Sequence, residues 1–323
     1  MNRFPTRRVV LGAVLALAAA ASHAAAFPTR PIRLLVGASA GGTTDTLARE
    51  VAEDMSRTLG QPVIVENKPG AGGNIAAMEV MRSAADGHTL LVSFTSHTMN
   101  ASLFRKLPYD PIADFTPVAL LAKVSSVLVT RTEAPFRDVR DVVAKGKANK
   151  NGLTFAIGGT GSSLHMDTYE FEKSAGVPVT QIPFKGTSPA LADVLAGHVD
   201  LMFAPVNGAR PLIQSGKLRA LAVAGPKRIA AFPDAAPVTE AVPSYTTNYG
   251  WFGILGPAKL PADVTRALNG AINKAMQQPK VKARLEADGS SPEVGTPEQF
   301  ATFLAADVKH WASQVKAFGI QPE

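Results

Sequence analysis

The sequence contains no cysteine among its 323 residues. This absence excludes disulfide bonds, zinc–thiolate sites, cysteine nucleophiles and the lipid-modified N-terminus of bacterial lipoproteins. Charged residues make up only 18% of the chain and aromatic residues 7%, whereas 46% are hydrophobic. A chain of this length and composition can bury a sizeable core, so we expect one or two folded domains.

The first 26 residues lack acidic side chains and carry three arginines before the apolar run Val9–Ala21. That run is shorter than the ~20 residues of a membrane span, and small residues follow it. The pattern predicts a secretory signal peptide over residues 1–26, cleaved near Ala26 and exported by the Sec or the twin-arginine route. Its removal leaves 30 basic against 26 acidic residues, a charge too small to suggest nucleic-acid binding. We therefore expect a periplasmic protein.

Short β-rich runs alternate with amphipathic helical stretches, an order typical of α/β layers with largely parallel sheets. Two sets of strands are predicted, at 32–36, 63–65 and 89–94, then at 154–157, 180–182, 201–204 and 218–224. Two such sets predict two lobes, with lobe 1 formed by 27–125 and 249–323 and lobe 2 by 126–248. The chain would cross between them near 123–129 and 250–256, which predicts a hinged central cleft.

Several helices carry local start and stop signals. An apolar stripe from Leu47 to Leu59 precedes Gly60 and predicts a helix that ends there. Ser188-Pro189 has the pattern of an N-cap followed by proline in the first turn. In the tail, Pro261–Met276 is amphipathic, and Thr296–Gln299 forms a capping box that opens a helix towards residue 317. Because no third set of strands is predicted, these tail helices should pack on lobe 1.

The glycine-rich segment Gly37–Asp45 follows the first predicted strand and opens the first helix. Free amide groups and the positive end of the helix dipole attract an anion at such a place. Thr43 or Thr44 would cap the helix, and Asp45 would either cap it itself or meet an amino or hydroxyl group of a ligand. The segment also contains the G-x-S-x-G pattern of a nucleophile elbow, centred on Ser39, so a serine hydrolase is an alternative.

A matching glycine- and hydroxyl-rich loop, residues 158–163, opens the first helix of lobe 2, with His165 in its first turn. Open α/β sheets bind ligands where such loops follow the strands. One loop from each lobe facing the same cleft could hold a carboxylate from both sides without catalytic side chains. The ligand-binding candidates are therefore Ala40, Gly41, Gly42, Thr43, Asp45, Ser96, Thr160, Gly161, Ser162, Ser163, His165, Lys185, Gly186, Thr187 and Asn207.

The histidines and carboxylates show no spacing typical of a metal site or of a glycosidase pair. His165 is an equal candidate for ligand contact and for orienting the glycine loop. We therefore expect neither a metal nor another cofactor.

Six motifs in order resemble those of the Bug-type periplasmic solute receptors, the binding proteins of tripartite tricarboxylate transporters. The resemblance extends over essentially all of the mature chain, and its stretches are GGTTDTLAR at 41–49, VENKPGAGG at 65–73, ADGHTLL at 85–91, GTGSSLH at 159–165, PFKG at 183–186 and GKLRALAV at 216–223. Phe184 stands where the family commonly has tyrosine.

The resemblance implies a type II-like periplasmic-binding-protein fold with two α/β lobes that close on a ligand. It also implies that the backbone of 40–43 and 160–163 holds a carboxylate, which would be a dicarboxylate, a tricarboxylate, an amino acid or an aromatic acid. The expected protein is a monomeric receptor that is not an enzyme and that passes its ligand to membrane transporter subunits. A ligand-sensing accessory protein for a sensor kinase remains an alternative.

Overall fold

The computed structural model describes residues 27–157, 162–184, 186–246, 248, 250–287 and 289–322. The predicted signal peptide and three candidate site residues, Thr160, Gly161 and Lys185, lie outside these ranges. In the part of the chain that is described, no helix is both long and apolar enough to cross a membrane.

Strands and helices alternate through most of these ranges. The strands are β1 (Ile32–Val36), β2 (Val63–Asn67), β3 (Thr89–Phe94), β4 (Phe115–Val124), β5 (Ser126–Arg131), β6 (Leu153–Ile157), β7 (Val179–Pro183), β8 (Met202–Pro205), β9 (Leu218–Val223), β10 (Gly250–Pro257) and β11 (Ser290–Pro292). The α-helices are α1 (Thr43–Leu59), α2 (Asn74–Met81), α3 (Ser96–Leu103), α4 (Val139–Ala148), α5 (Ser163–Ala175), α6 (Thr187–Ala196), α7 (Val206–Gln214), α8 (Ala262–Met276), α9 (Pro279–Ala287) and α10 (Pro297–Ala317).

A six-stranded sheet of the described residues has the order β11-β4-β10-β3-β1-β2. β1 pairs in parallel with both β2 and β3, as expected for consecutive β-α-β units. β10, in contrast, runs antiparallel between β3 and β4, and β11 is antiparallel to β4. The prediction of largely parallel sheets was therefore wrong, because strands that return from the second half of the chain enter this sheet in the opposite direction.

A second body contains the antiparallel sheet β8-β5-β9 and the parallel pair β6-β7. We call the body around the six-stranded sheet lobe 1 and this second body lobe 2. The chain leaves lobe 1 where β4 ends at Val124 and β5 begins at Ser126 in another sheet. It has returned by Gly250, where β10 begins. The residue boundaries of the two lobes, at 125/126 and 248/249, stay a prediction.

Several helix starts and ends that the sequence predicted are present in the structure. α1 buries Leu47, Val51 and Met55 and ends at Gly60, whose φ of 70° is the left-handed conformation that glycine adopts readily. The capping box at Thr296 is present, with both reciprocal hydrogen bonds formed. α8 packs on α1, and α10 packs on α3 and β4, so the tail helices lie on lobe 1 as predicted.

Two predicted caps were wrong. α6 begins at Thr187 with Gly186 as its N-cap, so Ser188 and the proline after it lie inside the first turn. α1 begins at Thr43 with Gly42 as its N-cap, and neither threonine of its first turn caps it. In both helices a glycine occupies the N-cap position, and it has no side chain that could accept a hydrogen bond from the first-turn amides. The first-turn amides of α1 and α6 consequently lack a side-chain cap.

Candidate functional site

The N-terminus of α1 in lobe 1 meets the N-terminus of α7 in lobe 2. The side-chain amide of Asn207 donates a hydrogen bond to the hydroxyl oxygen of Thr43, and this bond joins the two lobes directly. Asn207 also accepts a hydrogen bond from the Gly208 amide at 2.9 Å, which fixes the orientation of its side chain. Both candidate residues therefore lie where the lobes face each other.

The first turn of α6 lies beside the same contact. A Cβ atom at Gly208 would lie 3.6 Å from Cγ2 of Thr187, so the starts of α6 and α7 are neighbours. Gly186 precedes this turn with a φ of 110°, a conformation that other residues rarely adopt. The candidates Gly186, Thr187 and Asn207 thus lie at two neighbouring helix starts of lobe 2, and their contact with a ligand stays a prediction.

A cavity of about 180 Å³ lies between the N-termini of α3 in lobe 1 and α5 in lobe 2. Thr95 and Ser96 line it from lobe 1, Ser162 and Ser163 line it from lobe 2, and Gly250 lies at the point where the chain returns to lobe 1. A Cβ atom at Gly250 would be 3.5 Å from Ser163 Oγ and 3.6 Å from Thr95 Oγ1. Two helix starts therefore approach each other across this cavity.

The amides in the first turns of these helices have no carbonyl group four residues earlier in the helix. The first such bond of α3 comes from Met99 to Thr95, and that of α5 from Met166 to Ser162. The Ser162 hydroxyl caps α5 by accepting from the His165 amide at 3.3 Å, which leaves the earlier amides of this turn for other acceptors. The positive ends of both helix dipoles point into the cavity, so the site suits an anion.

Asp45 is directed into lobe 1 and holds the first glycine loop in place. Its carboxylate accepts hydrogen bonds from the Gly41 amide at 2.8 Å and from Asn67 at 2.9 Å, and it pairs with Arg49 at 3.0 Å. Burial alone would raise the pKa of Asp45, but these donors outweigh it and leave the pKa below its usual value.

The prediction that Asp45 caps α1 was wrong, because its carboxylate accepts from the Gly41 amide before the helix, and this arrangement disfavours contact with a ligand amino group. Because the Gly41 amide is engaged by Asp45, the donors that this loop offers to a ligand come mainly from the first turn that begins at Thr43. Ala40 and Ser39 are exposed at the tip of the loop.

His165 is buried beside the start of α5 and is held by lobe 2. Its Nε2 atom lies 2.7 Å from Gln181 Oε1, and its ring packs on Tyr169 with centroids 4.7 Å apart. Burial lowers the pKa of His165, so the ring is neutral at neutral pH, and Nε2 donates to the amide oxygen. This geometry supports orientation of the α5 N-terminus by His165.

A buried carboxyl group beside the cavity was not among the predicted residues. Asp167 lines the cavity and accepts hydrogen bonds from Ser126 at 2.6 Å and from Tyr245 at 3.1 Å. Burial raises the pKa of Asp167 to about 7. Its position on α5 next to buried Met166 and one turn before buried Phe171 is the sequence signal that it faces inwards.

The described residues contain no group of histidine and carboxylate side chains that could hold a metal ion. The site is instead a cleft between two α/β lobes, flanked by the N-termini of helices from both lobes. Fold and site together define a periplasmic binding protein with two lobes and a ligand cleft between them.

Comparison with known proteins identifies the family. Residues 47–320 match the tripartite tricarboxylate transporter family receptor, and the chain belongs to this family of Bug-type periplasmic solute-binding receptors. The protein BugT of Bordetella pertussis is 34% identical over 315 residues, which cover 96% of this chain and 96% of BugT. The relatives are receptors and not enzymes, so the hydrolase alternative based on Ser39 is not supported.

Solved structures agree with this assignment. MatC from Rhodopseudomonas palustris with bound malate is 34% identical, covers 90% of this chain and 100% of its own, and superposes with a TM-score of 0.78. An R. palustris protein with adipate is 31% identical, covers 92% of this chain and 100% of its own, and gives a TM-score of 0.83.

Proposed function

We propose that the protein captures a small carboxylate in the periplasm, between its two lobes, and delivers it to a tripartite tricarboxylate-type membrane transporter. The observation that carries this proposal is the convergence of helix N-termini from both lobes on one cleft. Their first-turn amides supply hydrogen-bond donors, and their dipoles supply positive potential, for a carboxylate group.

The electrostatics of the site support binding by the backbone. Among the described residues that line the cavity between α3 and α5, none is a lysine or an arginine. A favourably placed, partly buried helix end contributes up to ~2 kcal/mol to the binding of an anion. Closure of the lobes removes water from this interaction and strengthens it, because the effective dielectric constant falls.

The comparisons and the N-terminal sequence support the remaining parts of the proposal. Relatives with the same fold hold malate and adipate, which are small carboxylates. The family is named for receptors of tripartite tricarboxylate transporters, which supports delivery to such a transporter. The arginines and apolar run before residue 27 support export to the periplasm.

A ligand screen tests the capture step. Thermal unfolding should be measured with the mature protein in the presence of mono-, di- and tricarboxylates, amino acids and aromatic acids, each beside its uncharged amide analogue. We expect at least one carboxylate to raise the melting temperature and its amide to have no comparable effect, because only the former carries the charge that the helix ends attract. If no carboxylate in this panel changes the melting temperature, the proposal is wrong.

Gly250→Leu is expected to abolish carboxylate binding, with a loss of affinity of at least 100-fold, or about 2.7 kcal/mol. The added side chain would extend past the positions of Ser163 and Thr95 into the cavity between α3 and α5. Gly250→Ala is the matched control, because its Cβ atom makes only ordinary contacts there. Calorimetry should give the two affinities, and circular dichroism should show that both variants are folded. Equal affinities for the Leu and Ala variants would place the ligand elsewhere.

Thr43→Val is expected to weaken binding by about five- to tenfold, because it removes the acceptor for Asn207 across the cleft. One such hydrogen bond contributes ~1 kcal/mol, and this one forms only when the lobes are close together. Thr43→Ser retains the hydroxyl group and should bind like the original protein. Small-angle X-ray scattering with saturating ligand should show a larger radius of gyration for Thr43→Val than for Thr43→Ser. Identical radii would show that the Asn207–Thr43 hydrogen bond does not hold the lobes together.

A further inference from the structure

A second, larger cavity opens from the same cleft. Its volume is about 360 Å³, and it lies between the loop before α2, the helix α3, the start of α5 and the C-terminal segment after α10. Its walls are largely apolar, with side chains from both lobes and from the tail: Phe94, Leu103, Phe104, Met166 and Ile320. We call this space the apolar pocket.

The apolar pocket adjoins the cavity between α3 and α5. Phe94, Ser96 and Ser162 line both spaces, and the last two lie at the starts of α3 and α5. A carboxylate held by the first turns of these helices would therefore direct the rest of its molecule along Phe94 into the apolar pocket. The shared residues lie at the point where the proposed function places the ligand's charge.

The lack of charged side chains in the described lining of the apolar pocket limits the chemistry of the ligand portion that it can hold. Its described lining contains no lysine, arginine, aspartate or glutamate, and its polar members are hydroxyl and amide groups together with His165. His165 is neutral because burial lowers its pKa, and it is held by Gln181. A second carboxylate placed here would lose its hydration without meeting an opposite charge, which is strongly unfavourable.

We propose that the ligand of this receptor is a monocarboxylate with an apolar body the size of one aromatic ring, seated in the apolar pocket. This inference rests on the proposed function and names the substrate class of the same site. The volume suffices, since an engineered cavity of ~150 Å³ accommodates benzene. Phe94 and Phe104 are only partly buried and offer aromatic surfaces on which an aromatic ring packs well.

A matched pair of ligands tests the proposal. Phenylacetate and 4-carboxyphenylacetate differ only by a second carboxylate at the far end of the ring, and calorimetry should show phenylacetate binding at least tenfold more tightly. Malate serves as a small carboxylate without a ring. If malate or 4-carboxyphenylacetate binds as tightly as phenylacetate, or more tightly, the inference is overturned while the proposed function stands. If no carboxylate binds at all, the proposed function fails as well.

Substitutions in the wall of the apolar pocket test whether the phenylacetate ring lies there. Ile320 lies in the tail after α10 and is only partly buried, so Ile320→Asp should fold normally and weaken phenylacetate binding at least tenfold by adding a negative charge to the pocket. Ile320→Leu is the control and should bind like the original protein. Leu103→Asp on α3 tests the opposite wall. Unchanged phenylacetate affinity in Ile320→Asp, or in a folded Leu103→Asp, would show that the ring is not in the apolar pocket.

Discussion

Replacement of Asp307 by leucine is expected to lower the free energy of unfolding by about 3–5 kcal/mol, because it leaves two buried indole N–H groups without an acceptor. Oδ2 of Asp307 accepts hydrogen bonds from the Thr98 hydroxyl at 2.5 Å, the Trp251 indole at 2.8 Å and the Trp311 indole at 3.1 Å. Asp307 and both tryptophans are buried in lobe 1. Leucine is similar in size, so lost hydrogen bonds dominate the effect.

Asp307→Asn is the matched control for this prediction. Its amide oxygen can accept two of the three hydrogen bonds, so the expected loss is clearly smaller than that of the leucine variant. Urea unfolding followed by tryptophan fluorescence measures both variants. A leucine variant within 1 kcal/mol of the original protein would show that these hydrogen bonds contribute little net stability.

The same carboxylate connects the tail to the ligand cleft. α10 carries Asp307, while Thr98 lies in the first turn of α3 and Trp251 lines the cavity between α3 and α5. The backbone amide of Trp251 also donates to the Thr95 hydroxyl at 2.9 Å, directly before α3. We therefore expect Asp307→Leu to weaken carboxylate binding in addition to its effect on stability.

Local signals predicted the elements whose ends are set by neighbouring residues. The capping box at Thr296 and the glycine at position 60 each satisfy helix-end groups within a few residues, so the sequence alone locates these ends. The direction of β10 depends instead on pairing with β3 and β4, more than 100 residues away. No local pattern distinguishes a parallel from an antiparallel arrangement of such a strand, and the sheet was wrongly predicted as largely parallel for that reason.

For the candidate site, too, some residues carry a local sequence signal and others do not. Hydroxyl residues after the strands indicated the helix starts at Ser96 and Ser163, which line the cavity, because those residue types favour exposed helix N-termini, and their role in ligand binding stays a prediction. The buried acids were missed because isolated aspartates usually lie in solvent. Asp307, however, lies on the stripe of Phe300, Leu304, Trp311 and Val315, all of which are buried. An acid on an apolar helix stripe, with tryptophan four residues later, is a signal of a buried acceptor.

Asp167→Asn is expected to change the pH dependence of stability by about 2–4 kcal/mol between pH 4.5 and pH 8. Burial raises the pKa of Asp167 to about 7 in the folded protein, against ~3.9 in the unfolded chain. Between these values the folded state keeps a proton that the unfolded state has released, so stability falls as the pH rises, by up to ~1.4 kcal/mol per pH unit. The asparagine variant lacks this ionisation, so its stability relative to the original protein should increase towards pH 8.

Ionisation of Asp167 should also affect the ligand, because this side chain lines the cavity between α3 and α5. Glu170, one turn later on α5, adds to the negative potential, and burial lowers the pKa of His310 in α10, so this ring adds no positive charge above pH 7. We therefore expect carboxylate affinity to fall above pH 7 in the original protein and to stay nearly constant in Asp167→Asn.

Urea unfolding and calorimetry at several pH values measure both effects, with Asp234→Asn at an exposed position as the control. If the free energy of unfolding depends on pH in the same way for the original protein and for Asp167→Asn, then Asp167 is already ionised at low pH and the prediction is wrong. The substitution would then act only by changing the hydrogen bonds that Ser126 and Tyr245 donate to this side chain.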